Sequence, residues 1–419
     1  MTTVGALVGL LLAIVLIIKK LSPVYSLMAG AVAGALLGGL SMSESVAVMV
    51  DGVKDVTPAV VRIIAAGVLS GVLICSGAAV TISNAIIRFM GERASLAALA
   101  VTTMILTGVG VFIDVAVITV APIALATGSR LKIPVPVLLM AMVGGGKCGN
   151  IMSPNPNTIA AAQNMGADLS MVMLAGVVPA LVGLAFTVFV VLKVMPQRRD
   201  TSAIVTAEMA AEESDGRLPS LGASIVAPLV TIVLLALRPS LGVEVDPLIA
   251  LPAGGVAGML AMGKARGLLK AVEYGLGKMS GVAVLLIGTG TIAGVIKNSG
   301  LKDCILELLN QLHIGAVAIA PTSGALMSAA TASTTAGATV ASASFADVIL
   351  AVGIPALWGA AMINAGATVL DHLPHGSFFH ATGGACELTF RKRLALVPWE
   401  SAVGLVLALA SVASYLVVS

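Results

Sequence analysis

Charge is scarce in this chain. Asp, Glu, Lys and Arg make up 10% of its 419 residues, whereas average soluble domains carry roughly 25%. That shortage excludes an ordinary soluble domain. Aromatic residues are also few, at 3%. A membrane β-barrel would show alternating strands flanked by aromatic girdles, and neither is present. The four cysteines (Cys75, Cys148, Cys304, Cys386) are scattered and form no CxxC pair. They read as small buried hydrophobes rather than metal or redox ligands. The net charge of +3 is too small to imply a nucleic-acid partner. No GxxxxGK[ST] is present, which argues against direct coupling to ATP, and neither GxSxG nor HExxH occurs. Three of the four histidines fall within 372–380, but His-x2-His-x4-His matches no regular ligand geometry. No metal and no cofactor are therefore expected.

Apolar sequence fills the space that charge leaves. Hydrophobic residues reach 58%, with long apolar runs at 4–18, 23–40, 171–194, 221–237 and 395–418. Such runs approach or exceed the ~20 residues that span a bilayer as a helix. Glycine is abundant, at 46 residues, and small residues let membrane helices approach closely. A polytopic helical bundle follows, with the lipid bilayer as its surroundings. Lys19 and Lys20 follow the first apolar run instead of preceding it, so that run reads as a transmembrane helix rather than a signal peptide.

One stretch, 196–220, concentrates charge and polarity and divides the chain into halves of similar length. The expected organisation is a repeat over 1–195, a cytoplasmic linker over 196–220, and a second repeat over 221–419. The halves share sequence. Pro23–Gly34 aligns without gaps on Pro247–Gly258 with seven of twelve positions identical, at an offset of 224. Ser76-Gly77 meets Ser299-Gly300 at 223, and Ile133-Pro134 meets Ile354-Pro355 at 221. Positive charge (Lys193, Arg198, Arg199) follows the last helix of the first half, but Arg391-Lys392-Arg393 precedes the last helix of the second. Cytoplasmic flanks carry the excess of Lys and Arg, so the halves insert in opposite directions. Arg238 departs from this scheme. Inverted repeats are a mark of secondary transporters.

The most informative decapeptide is Gly149-Asn-Ile-Met-Ser-Pro-Asn-Pro-Asn-Thr158, polar and proline-broken between apolar segments. Backbone freed from helix at membrane depth must be buried in protein or line a cavity. At offset 221 its Asn150–Thr158 aligns with Asp371-His-Leu-Pro-His-Gly-Ser-Phe-Phe379, also polar and proline-containing. Paired breaks at matching repeat positions point to a midplane binding site. A membrane-embedded enzyme would need a site in one half only, so no enzymatic activity is expected. Asn150, Ser153, Asn155, Asn157 and Thr158 are the candidate ligands in the first half, with His375 and Gly376 in the second. A second matched pair, Gly108–Asp114 and Ala329–Thr335, adds Ser333, Thr334 and Thr335. Helix N-termini after such breaks favour an anionic ligand. Ionisable groups in the apolar field are candidates for carrying a coupled proton: Asp114 first, then Asp371, then His375. Asp114 leads because it stands alone in a long apolar segment; the alternative is a structural pair with Lys147.

These motifs resemble the gluconate:proton symporter family. Gly149–Ala162 resembles its signature, and Leu370-Asp-x-Leu-Pro-His375 and Val109–Asp114 are similar to further family motifs. The resemblance extends over essentially the whole chain. It implies a bacterial inner-membrane permease importing a small anionic hydroxy-carboxylate with protons; family members handle gluconate, related sugar acids, D-serine or short hydroxy acids. It implies an all-α polytopic fold of two inverted-topology repeats with re-entrant and broken helices, similar to the ion-transporter superfamily. There, Ser-Asn-Thr motifs bind carboxylates, and Ser153, Asn157 and Thr158 are their counterparts here. Sodium coupling on the same architecture is the rival expectation, and a homodimer is left open.

Overall fold

Glycine sets how the two halves meet, because helices without side chains at the contact can approach backbone to backbone. The computed structural model describes residues 1–19, 21–91, 94–195, 218–241, 243, 245–300, 316–374 and 376–418. All regular structure among them is helical. The first half contains α1 (Thr3–Ile18), α2 (Pro23–Leu37), α3 (Met42–Cys75), α4 (Ala78–Met90), α5 (Ser95–Gly108), α6 (Ile113–Leu131), α7 (Val135–Asn150), α8 (Pro156–Met165) and α9 (Leu169–Phe186). A π-turn at Thr187–Val191 carries α9 on to Val194. The second half contains α10 (Val226–Leu241), α11 (Pro247–Ala261), α12 (Leu268–Lys297), α13 (Ile319–Thr331), α14 (Thr334–Ala351), α15 (Ala356–Gly366), α16 (Ser377–Ala385) and α17 (Val397–Val418). Most of the expected linker, 196–217, lies outside the described residues, as do Cys304 and His375. Six stretches among the described residues are long and apolar enough to cross a membrane: Met42–Cys75, Ile113–Leu131, Leu169–Val194, Ala265–Lys297, Thr334–Ala351 and Phe390–Val418.

The repeat is written in the element order. Helices α6, α7 and α8 begin at 113, 135 and 156, and α14, α15 and α16 begin at 334, 356 and 377, a constant offset of 221. Contacts repeat as well. Helix α1 packs on α2 as α10 packs on α11, and α2 packs on α12 as α11 packs on α3. The counterparts α3 and α12 form the largest contact, and they run antiparallel. Gly52 lies against Gly290 and Gly294, Gly67 against Gly275, and Gly71 against Ala271. Two copies of one element meeting head to tail make the repeats inverted. At this crossing a Cβ on Gly275 would sit 1.9 Å from the Gly67 carbonyl oxygen, and one on Gly52 would sit 2.1 Å from that of Gly290.

Helix directions within the first half follow from the same close approaches. Gly145 lies on Ala100 and Gly149 on Met104, so α5 and α7 run parallel. Gly128 lies on Leu138 and Gly146 on Ile113, so α6 runs the opposite way. Helices α5 and α6 are therefore a hairpin, turned at Gly110, whose φ of +102° suits glycine. Helix α9 descends along α7, with Gly176 at Ile151 and Gly183 at Cys148. Because α9 starts beyond the end of α7, α8 continues the direction of α7. Helices α7 and α8 are one crossing, broken in the middle.

Proline makes the break. Pro154 and Pro156 remove amide donors and bias Ser153 and Asn155 toward extended backbone, and Pro156 then occupies the first turn of α8. In the second half the break runs from Ala367 to Gly376. Gly376 is required there by packing, since a Cβ would lie 2.4 Å from the Ala332 carbonyl oxygen at the tip of the α13–α14 hairpin.

Candidate functional site

Where the two breaks and the two hairpin tips converge, a cavity of about 270 Å³ opens. It is lined by Phe112, Ile113 and Asp114 from the start of α6, and by Ser333, Thr334 and Thr335 from the start of α14. Asn150 and Asn157 flank the first break; Asp371, Ser377 and Phe378 come from the second, and Lys278 and Val282 from α12. Repeat counterparts line the same space, Asp114 and Thr335, Asn150 and Asp371, at the 221 offset. The cavity therefore straddles both repeats, and its walls differ in chemistry: acid meets hydroxyl, and amide meets acid.

Four helices begin at this cavity: α6, α8, α14 and α16. A helix N-terminus has a positive dipole end, which attracts an anion; at α6 the Asp114 carboxylate already takes the Val115 amide. Of the four, α14 has a side-chain cap, Ser333 accepting from the Ala336 amide at 3.2 Å. The N-cap residues of α6, α8 and α16 make no side-chain cap bond.

The polar residues of the first break divide into two groups. Asn150 and Asn157 reach the cavity. Ser153, Asn155 and Thr158 are buried away from it and brace the break. The Asn150 carbonyl, left free where α7 stops, accepts from Ser153 Oγ at 2.7 Å and from Asn157 Nδ2 and Thr158 Oγ1, each at 3.4 Å. Asn155 Nδ2 donates to Asn150 Oδ1 at 2.9 Å and to the Thr107 and Val111 carbonyls. A residue not singled out from sequence joins the halves: Asn364 of α15 accepts from Asn157 Nδ2 at 2.7 Å and donates to Thr158 Oγ1 and the Ile151 carbonyl. Its signal was a lone amide inside an apolar helix.

Asp114 is placed differently from the sequence expectation. Because the hairpin turns at Gly110, α6 starts at Ile113, and Asp114 stands half-buried in its first turn rather than deep in an apolar helix. Its Oδ1 accepts from the Val115 amide at 2.9 Å. The alternative pair with Lys147 is overturned, because Lys147 belongs to Asp371. The ammonium is fully buried and donates to Asp371 Oδ1 and the Thr368 carbonyl, both at 2.5 Å, with His372 Nδ1 at 2.9 Å. Asp371 Oδ2 in turn accepts from Thr334 Oγ1 at 2.5 Å.

This pair opens onto a larger buried network. His372 Nε2 lies 3.0 Å from the Val397 carbonyl and 3.1 Å from Ser401 Oγ, and Nδ1 is 3.8 Å from Glu400 Oε2. Arg393 holds Glu400 through two donors and donates to the Phe379 carbonyl at 3.2 Å. Arg393 was read in sequence as an orientation charge. In the structure it is buried, and only its neighbours Arg391 and Lys392 retain exposure. The clue to Glu400 was a single acid in the last apolar run. Of the second-half candidates, Ser333, Thr334, Thr335 and Asp371 reach the cavity, and Gly376 lies beside it under Ala332.

Inverted repeats, two hairpins, two broken crossings and a polar cavity between them define a polytopic membrane transporter. The chain belongs to the GntP permease family: the profile described as GntP family permease matches residues 1–247. A Na+-H+ antiporter family profile matches 222–313. A protein of Haemophilus influenzae named an uncharacterized transporter is 52% identical over 370 residues, 88% of this chain and 87% of that one. The high-affinity gluconate transporter of Escherichia coli is 25% identical, covering 74% and 75% of the two chains. The E. coli D-serine transporter DsdX is 22% identical, covering 55% and 57%. The crystal structure of the Alcanivorax borkumensis YdaH transporter shares the fold, with a TM-score of 0.64 at 15% identity over 88% of this chain and 87% of that one.

Proposed function

We propose that the protein imports a small hydroxy-carboxylate of the gluconate kind together with protons, across the cytoplasmic membrane of a bacterium. The observation that carries this reading is the convergence of four helix N-termini on one cavity between the repeats. A carboxylate fits against the uncapped start of α16 and the Thr335 hydroxyl, since Thr334 already donates to Asp371 Oδ2. Asp114, Asn150 and Asn157 offer acceptors and donors to hydroxyl groups on the far side, so the site suits hydroxylated acids over simple fatty acids. The cavity, at about 270 Å³, lies just below the range for drug-sized ligand pockets, in keeping with a short carbon chain. The named gluconate and D-serine relatives point to the same class of substrate.

Proton rather than sodium coupling is supported by the state of the freed carbonyls. A bound sodium ion needs oxygens with a lone pair to spare and no cation already beside them. The Asn150 carbonyl already accepts from three side chains, and the Thr368 carbonyl from Lys147.

Thermal melting of the purified protein with a panel of acids tests the substrate class. Gluconate, glycerate and D-serine should raise the melting temperature, by about 2.7 kcal/mol of stabilisation at a hundredfold excess over Kd, and hexanoate should not. A shift with hexanoate, or with none of the panel, would sink the proposal. Within the site, Asn157→Ala should raise the half-saturation concentration about two- to tenfold, because a hydrogen bond to a neutral hydroxyl contributes about 0.5–1.5 kcal/mol. Unchanged uptake kinetics would remove Asn157 from the binding site.

A further inference from the structure

We infer that the coupled proton is carried by the Lys147–Asp371–His372 network, with His372 Nδ1 as the atom that takes it up; this rests on the substrate reading above. The hydrogen bonds fix how the network rests. The Val397 carbonyl, 3.0 Å from His372 Nε2, can only accept, so Nε2 carries the ring hydrogen. Neutral His372 then turns a bare Nδ1 toward the Lys147 ammonium at 2.9 Å. The three ammonium hydrogens meet Thr368 O, Asp371 Oδ1 and His372 Nδ1. At rest the positive charges of Lys147 and Arg393 balance the negative charges of Asp371 and Glu400, with all five side chains buried.

A proton added to Nδ1 has an acceptor ready, Asp371 Oδ1 at 2.9 Å. The new N–H donates there, and the imidazolium becomes the partner of Asp371. It also repels the ammonium beside it, so the charge of Lys147 is left unmatched one side chain behind the cavity wall. An anion in the cavity then finds one net positive charge to balance. Without the anion that charge is buried and uncompensated, which is costly. Proton and substrate therefore each raise the affinity for the other by the same factor. One proton accompanies one monovalent anion, and the cycle is electroneutral.

The other charged groups facing this network do not compete for the role. Glu400 is held by Arg393. Cys148, next to Lys147, turns its sulfur toward Gly183 of α9. Asp114 and Lys278 lie on other walls of the cavity, from α6 and α12. The network has no twin in the first half. At the 221 offset the counterparts of Asp371, His372 and Glu400 are Asn150, Ile151 and Pro179. The two breaks have divided the work: the first is braced by neutral amides, and the second holds exchangeable charge.

Calorimetric titration with D-gluconate, in buffers of different ionisation enthalpy, counts the protons taken up on binding. Reciprocal coupling requires proton uptake on binding, and wild type should approach one proton per gluconate at a pH where the free site is deprotonated and the occupied site protonated. His372→Gln keeps a donor for the Val397 carbonyl and removes the titratable ring; it should bind more weakly and take up none. Lys147→Met/Asp371→Asn, neutral on both sides of the pair, should also bind without proton uptake. Proton uptake that persists in either variant overturns the proposal, as does wild-type binding without proton uptake. Loss of binding in both variants also overturns it, by making the network part of the substrate site itself. A wild-type protein that binds none of the acid panel overturns the substrate reading and this inference with it.

Discussion

Lys147→Met alone should cripple folding, whereas Lys147→Met/Asp371→Asn should largely restore it. The single substitution leaves the Asp371 carboxylate buried, 2% exposed, without its cation. Breaking a buried ion pair from one side costs about 3–5 kcal/mol, while replacing both partners with neutral groups is often close to neutral. A protein of marginal stability does not absorb the first loss easily. Fluorescence-detected melting in detergent should place the single variant well below wild type and the double variant between them. A single variant that melts with wild type, or a double variant that melts below the single, contradicts the pairing.

The second large effect is expected at the inverted crossing. Gly275→Leu should separate α3 from α12, because its first added carbon already falls 1.9 Å from the Gly67 carbonyl oxygen. Backbone cannot move aside as a flexible side chain can. Overpacking commonly costs about 1–3 kcal/mol and more where nothing yields. Gly52→Leu meets the Gly290 carbonyl in the same way at the other end of the crossing, and the double variant should lose less than the sum, since either substitution already moves the same two helices apart. Gly277, two residues from Gly275, meets nothing within 4 Å. Gly277→Ala should therefore be neutral or stabilising, by up to about 1 kcal/mol from helix propensity. Opposite responses at 275 and 277 would confirm the close face of α12. Equal responses would remove the crossing as the organising contact.

Much of this architecture was legible in the sequence because it is periodic. A fixed offset survives in Pro23–Gly34 and Pro247–Gly258 because both helices must pass close to a neighbour. The two breaks were visible because proline and polar residues interrupt apolar runs. What could not be read is which job each polar residue performs. Ser153, Asn155 and Thr158 are of the same polar types as the cavity-lining Asn150 and Asn157, yet their donors are taken by carbonyls at the break and at the α5–α6 hairpin. Lys147 and Asp371 are separated by 224 residues, and pattern alone does not choose between Asp371 and Asp114 as partner. Asp114 was displaced by a single turn: sequence set it inside an apolar stretch, and Gly110 puts it at a helix start. Arg393 misled for the opposite reason. A run of three basic residues marks a membrane flank, but one of the three turns inward to Glu400.

The most direct measurement is accumulation of labelled D-gluconate by proteoliposomes in sodium-free buffer, with an acidic exterior and an alkaline interior. The proposed coupling predicts uptake above the external concentration. It predicts collapse by a protonophore, no change on adding sodium, and no dependence on an imposed membrane potential. Accumulation that appears only with a sodium gradient, or that follows the membrane potential while the pH gradient is held at zero, would contradict it.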